Sequence, residues 1–257
     1  MPPLAEINAP AGWCTVDFIS DLHLHASEPS TFDVWQHYLQ RTPANAVFIL
    51  GDLFEAWVGD DVVNDTATNT TNFEARCADN LQAAGRRLAL FFMHGNRDFL
   101  VGQALMTRCH ARLLQDPCTL VFNAQRWLLS HGDALCLDDV PYQKFRQVVR
   151  SAQWQADFLA KPLAVRQTTA RQMRLQSEAS KHASATFADA DTSMTLRWLA
   201  KARANTLIHG HTHQPADHAL SGYQRRVVLS DWDAAATPPR AEVLRLSAGV
   251  LQRIALT

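Results

Sequence analysis

The sequence predicts an α/β fold that carries an inserted helical segment. Short apolar runs recur along the chain, and five of them end in oxygen or imidazole side chains, usually beside a glycine. Between about 135 and 203 glycine is absent and apolar residues recur at helical spacing. Beyond that stretch the strand-like runs return. Open α/β sheets bind ligands at the carboxyl ends of their strands, so the five polar ends can share one site.

At 257 residues the chain favours a single domain, residues 1–257, with a sizeable insertion and a real hydrophobic core. A formal net charge of −1 gives no overall reason to expect a nucleic-acid partner. The five cysteines are scattered without paired spacing, which suits reduced thiols and argues against a disulfide framework or a zinc ribbon. The first residues lack the basic and apolar regions of a signal peptide, and no apolar run is long enough to cross a bilayer. Residues 1–13 read as a loose leader.

The first strand, Cys14–Ser20, delivers Asp21 and His23, whose i, i+2 spacing puts both on one face of extended backbone. His25 continues that alternation, but the chain is by then leaving the strand. Pro29 opens a helix through about Arg41, with Phe32, Trp35, Tyr38 and Leu39 as its apolar face. Val47–Leu50 is a buried strand ending in Gly51-Asp52, where glycine permits a tight turn and the aspartate stands at a sheet edge. Glu55 and the acidic Gly59-Asp60-Asp61 behind it are either further ligands or, the reading preferred for their turn chemistry, a loop that is solvated or supports the donors from behind. Asn72 to Ala84 forms a helix closed by Gly85 at the C′ position. Arg87–Met93 leads into HGNRDF, where Asn96 offers a neutral amide oxygen and Arg97 a planar fork suited to phosphate oxygens.

Cys118–Phe122 and Arg126–Leu129 read as a hairpin about Asn123-Ala124, ending in SHGD with His131. The helical stretch follows, its apolar Phe145, Val148, Val149, Trp154, Phe158 and Leu159 interleaved with Lys144, Arg146, Arg150, Lys161, Arg166, Arg171, Arg174 and Lys181. Composition alone favours a solvated helical cap with its apolar face on the core over a face that receives acyl chains while basic residues meet phosphates or an anionic membrane surface. Leu207-Ile208 restarts the sheet and delivers HGHTH, with His211 and His213 again at i, i+2 and His209 buried deeper. Arg226–Leu229, Glu242–Leu246 and Val250–Ile254 are closing strands, the last two joined through Ser247-Ala248-Gly249.

The collected donors are Asp21, His23, Asp52, Asn96, His131, His211 and His213. Mixed carboxylate and imidazole ligands without cysteine suit Mn, Fe or Zn in a catalytic rather than a structural site. Seven donors suit two divalent cations sharing a carboxylate, at the separation of about 3.5–4 Å used in phosphoryl transfer. Asp52 is the natural bridge. One ion then takes Asp21, His23, Asp52 and His213, and the other Asp52, Asn96, His131 and His211.

DLH, GDLFEAW, GNRD, SHGD and GHTH, in this order, resemble the five blocks of the calcineurin-like metallophosphoesterases. The longer forms DLHL, LGDLFEAW, HGNRDF and IHGHTH with a following proline resemble one branch, the UDP-2,3-diacylglucosamine pyrophosphohydrolases of lipid A synthesis, over about Asp17 to Trp232. Many members of the superfamily have histidine where this chain has Arg97.

The resemblance implies a β-sandwich flanked by helices, with about 135–203 as a helical cap. It implies a dimetal pyrophosphohydrolase, with Mn as the expected metal, in which metal-bound hydroxide attacks the uridine-side phosphorus. The products are UMP and 2,3-diacylglucosamine 1-phosphate. Asp52, Asn96, Arg97 and His131 are the implied catalytic residues. Asn96, Arg97, Asp139, Tyr142, Ser177 and His211 are implied to bind substrate. Where the family carries asparagine and lysine in the cap, this chain has Lys181 and Ser184, the cation displaced by about one helical turn. The cap would receive acyl chains and bring a peripheral monomer to the cytoplasmic face of the bacterial inner membrane. The alternatives are a phosphoesterase of nucleotides or cyclic nucleotides, with the cap as a plain lid, and a non-catalytic binding protein on the same fold.

Overall fold

The computed structural model describes residues 4–65, 72–183 and 189–257. Two mixed six-stranded sheets lie face to face. One holds, in order, β12 (Val250–Ala255), β11 (Glu242–Ser247), β2 (Thr15–Ile19), β3 (Ala46–Leu50), β4 (Ala89–Met93) and β5 (Ala111–Leu114). The other holds β1 (Ala5–Asn8), β6 (Cys118–Phe122), β7 (Gln125–Leu129), β8 (Thr206–His209), β10 (Arg225–Val228) and β9 (Ala216–Ala219).

Strand alternation builds the layers. Ala46, Phe48 and Leu50 of β3 face inward and pack with Phe18, Phe91, Leu120, Trp127, Leu129 and Ile208 from both sheets. At the centre Phe48 and Phe91 stack with centroids 4.4 Å apart and planes at 8°. Val47 and Ile49 point the other way, onto α1 (Pro29–Arg41), α2 (Phe73–Gly85) and α3 (Gln103–Arg108). With both faces covered, β3 is apolar throughout, the pattern of a central parallel strand.

The apolar face of α1 is as its spacing predicts: Phe32, Trp35, Tyr38 and Leu39 are all buried. Asn123 and Ala124 turn the β6–β7 hairpin, and Ala248-Gly249 turn β11 into β12, with positive φ at every turn position. This is the turn geometry whose twist matches paired strands.

Two local expectations are corrected. Residues 1–13 are not merely a loose leader, since Ala5–Asn8 pairs in parallel with β6 and Ile7 is buried. Gly85 does not sit beyond its helix in a left-handed turn. It is the last helical residue of α2, and an added Cβ would lie 2.0 Å from the Cys109 carbonyl oxygen, so close packing is what requires glycine there. Within the glycine-free stretch the helices are placed differently. α4 (Val140–Val149), α5 (Ala152–Leu159) and α6 (Leu163–Ala183) are inserted between β7 and β8. By contrast α7 (Thr192–Ala202) lays Trp198, Leu199 and Ala202 on Leu128 and Leu207 of the sheet.

The chain leaving the insertion is pinned by a two-pronged ion pair, Arg226 Nη1 and Nη2 to Asp189 Oδ1 and Oδ2 at 2.5 and 2.7 Å. The guanidinium holds the Asp189 carboxyl at about 2, below its ordinary 3.8. A depressed carboxyl stabilises the fold above its unfolded value, and the contribution is lost as pH falls towards the folded value. Asp189→Asn should therefore lower Tm at pH 7. Melting curves from pH 7 to 2 should show the gap to the parent narrowing below about pH 4.

Candidate metal centre

β2, β3, β4, β7 and β8 end at the same edge of the sandwich and bring all seven expected donors together there. The way they do so differs from the alternation expected of extended strands. Asp21, His23, Asp52, His211 and His213 all follow the strand ends in left-handed conformations, with φ between 49° and 69°. Such backbone costs about 1–2 kcal/mol per residue for an ordinary side chain, least for Asp, Asn and His. Five such residues together would cost an amount comparable with a domain's net stability, so the surroundings must hold them.

Backbone and side-chain bonds do this. Asp21 N donates to Gly51 O at 3.1 Å, His23 N to Asp52 O at 3.0 Å, and Trp232 N to Asp21 O at 3.0 Å. Arg97 N donates to Asp52 Oδ1 at 2.8 Å and His211 N to Asp21 Oδ2 at 2.9 Å. Two glycines make room: a Cβ at Gly95 would meet Asp52 Oδ1 at 2.0 Å, and one at Gly210 would meet Asp21 Oδ2 at 2.1 Å. Asp52 does not stand at an exposed sheet edge, as its position after the strand suggests. It is 1% exposed, with its charge answered by the Arg97 amide and the His131 imidazole.

The donor atoms converge in two overlapping groups. Asp21, His23 and His213 offer atoms within 4.8 Å of one another, and so do Asp21, Asp52 and His131. His23 Nε2 and His213 Nε2 face each other at 3.3 Å, and Asp21 Oδ1, buried and without a hydrogen bond, lies 3.3 Å from His213 Nε2. Asn96 Oδ1 lies 3.0 Å from His131 Nε2 and 2.8 Å from His211 Nδ1. His131 Nδ1 lies 2.9 Å from the Leu50 carbonyl, which fixes the ring and turns Nε2 inward. Burial opposes a charge on His131, yet Asp52, Asp21 and Asp133 push it up to about 9. Facing lone pairs, an orphan carboxylate oxygen and carboxylates calling for positive charge all fit divalent cations.

Other expected residues lie around this cluster. Tyr142 stacks on His211 at 5.9 Å, and its hydroxyl donates to Asp133 Oδ2 at 2.5 Å. Asp139 caps α4 by accepting from Tyr142 N at 3.0 Å. Ser177 and Lys181 are residues of α6, and Ser184 lies outside the described residues. His25 is exposed and bonds Ser27 at 2.7 Å, whereas His209 is fully buried with Nδ1 2.8 Å from Gly210 O. The acidic loop is built rather than merely solvated. Asp60 accepts from Gly102 N and Leu105 N at the start of α3, and Asp61 pairs with Arg166.

Sequence reasoning passed over three carboxylates that organise the site. Asp98 accepts from Leu53 N and Gly95 N, both at 2.8 Å; burial and the nearby Asp52 raise its carboxyl to about 7. Asp133 takes Arg146 Nε at 2.7 Å as well as Tyr142, and Asp116 takes the Ser130 hydroxyl at 2.6 Å. Asp98 and Asp133 close the GNRD and SHGD blocks, so their places beside donors were the available signal. Nothing in the sequence marked Asp116.

This fold and this cluster define a metal-dependent phosphoesterase, and the sequence model of the Calcineurin-like phosphoesterase family matches residues 14–215. Curated relatives named UDP-2,3-diacylglucosamine hydrolase are similar over nearly their whole length. The protein of that name from Chromohalobacter salexigens is 41% identical over 85% of this chain and 89% of its own. Those from Stenotrophomonas maltophilia and Chromobacterium violaceum are 39% and 43% identical, over 91% and 84% of this chain and 96% and 90% of theirs. The chain belongs to this family of hydrolases within the calcineurin-like phosphoesterases.

Proposed function

We propose that this enzyme hydrolyses the pyrophosphate bond of UDP-2,3-diacylglucosamine, giving UMP and 2,3-diacylglucosamine 1-phosphate in lipid A biosynthesis. What supports this most directly is near full-length likeness to hydrolases of that name in a chain whose site gathers seven metal-type donors. Asp21, His23, Asp52 and His213 would hold one divalent cation, and Asp52, Asn96, His131 and His211 the other. The donor chemistry suits Mn. When bound, such ions supply an activated water and offset charge on the phosphoryl oxygens.

The chain's own groups do the rest. Arg97 stands beside Asp52 with its side chain largely buried, so its guanidinium can neutralise charge developing on the phosphates. A phosphate leaving group needs little protonation, which is compatible with arginine in place of a proton-donating histidine. Tyr142 keeps the His211 ring in place by stacking and ties α4 to Asp133. Arg150 Nη2 donates to Gly95 O at 2.8 Å, fixing the end of α4 against the GNRD loop. Asp139, Ser177, Lys181 and Ser184 complete the substrate assignments.

In this reading α4–α6 form the cap of a single domain. Val149 and Phe158 turn into the protein, while Val140, Phe145, Val148, Leu159, Val165 and Leu175 are exposed among basic residues. That surface suits acyl chains and an anionic bilayer face. Among the described residues no helix is long and apolar enough to cross a membrane. The enzyme acts as a monomer held peripherally at the cytoplasmic face of the inner membrane.

The test is Mn-dependent UMP release from UDP-2,3-diacylglucosamine, beside deacylated UDP-glucosamine and a soluble phosphodiester. Strong preference for the diacyl substrate is expected. Equal or better turnover of the small substrates would leave a phosphoesterase but overturn the lipid assignment.

A further inference from the structure

Glu55 is a carboxylate in an unusual position. It is only 8% exposed, and its direction is set by a short bridge between Leu24 and Phe54, followed by Glu55 N donating to Leu24 O at 3.2 Å. A buried carboxylate is tolerated only where cations or donors meet it. Three segments supply them. Oε2 lies 3.1 Å from His23 Nδ1, on the chain leaving β2. Oε1 lies 3.5 Å from Arg97 Nη1, on the chain leaving β4, and 3.1 Å from Arg174 Nε of α6.

We propose that Glu55 is a positioning residue that couples the helical insertion to the metal centre through these three contacts. Towards His23 its effect is on the ring: a proton on Nδ1 directed at Glu55 leaves Nε2, the atom facing His213, as a lone-pair donor. Towards the arginines its effect is on place and charge. One carboxylate between two guanidiniums neutralises part of their repulsion and leaves net positive charge for phosphate. α6 is also fastened by Arg166, buried against Asp61 and the Val58 carbonyl. Eight residues of helix separate Arg166 from Arg174, roughly 12 Å along the axis. The 55–61 segment thus holds α6 at two points, and the Glu55–Arg174 contact is the one beside the donors.

This inference rests on the functional reading above, so its test has one arm that needs no substrate. Manganese titration of the metal-free protein by calorimetry should show Glu55→Gln binding about 10–100-fold more weakly than the parent. Unchanged affinity would overturn the His23 role. The second arm measures KM and kcat for UDP-2,3-diacylglucosamine at saturating manganese in Glu55→Gln, Arg174→Ala and the double variant. Each single change should raise KM about tenfold. The double should be no worse than the worse single. Additive increases would overturn the coupling. Glu55→Asp keeps the charge but withdraws it by one methylene; it should recover part of the metal affinity without recovering KM. Failure to recover either, with a parent-like circular dichroism spectrum, counts against positioning by charge. If the parent protein itself does not turn over the lipid substrate, the functional reading fails while the titration still decides the His23 role.

Discussion

Asp52→Ala is expected to lower turnover by at least about 10³-fold, the scale on which removing a group central to charge stabilisation acts. The loss should come through the metals. Asp52 forms one donor group with Asp21 and His131, with Oδ2 3.8 Å from His131 Nε2 and Oδ1 held by Arg97 N at 2.8 Å. Removing it takes a shared negative charge from a buried cluster of imidazoles and releases the backbone of the GNRD loop. Metal content after dialysis should fall together with activity. An Asp52→Ala protein that keeps two equivalents of metal would overturn the bridging assignment, and full activity would overturn the site.

Arg97→Ala is expected to behave differently, lowering kcat by about 10²–10³-fold with metal content unchanged. Its main-chain amide, not its side chain, holds Asp52, and alanine keeps that amide. The guanidinium points instead towards Glu55. Parallel measurements of metal stoichiometry and of kcat separate the two roles. Unchanged kcat would rule out charge neutralisation, and lost metal would make the side chain part of the centre's scaffold.

Most of this architecture was legible in the chain wherever burial imposes a period. Phe32, Trp35, Tyr38 and Leu39 repeat every three or four residues because one helix face is covered. The run Val47–Leu50 is continuously apolar because both faces of β3 are. The donors were legible because Asp, Asn or His at a strand end recurs five times, four of them beside a glycine. What could not be read was conformation decided by tertiary contact. The left-handed backbone at Asp21 and His23 depends on Gly51 O and Asp52 O thirty residues away, which no local spacing reports. β1 and β9 are four-residue edge strands paired on one side only, and a run that short is too brief to stand out as a period in the sequence. Within the insertion, apolar spacing predicted helices but not which partner each face meets. Trp198 and Leu199 lie on the sheet while Phe145 and Val148 face outward.

The placement of donors on both sheets has a consequence for the molecule as a whole. Asp21, Asp52 and Asn96 follow strands of one sheet, and His131, His211 and His213 follow strands of the other. An ion shared among them would be a rivet through the rim of the sandwich. It would fasten two sheets whose shared interior is built from aromatic and aliphatic side chains. Free energy gained at that rim stabilises the alignment of the entire stack, so occupancy of the centre and integrity of the fold are one linked equilibrium.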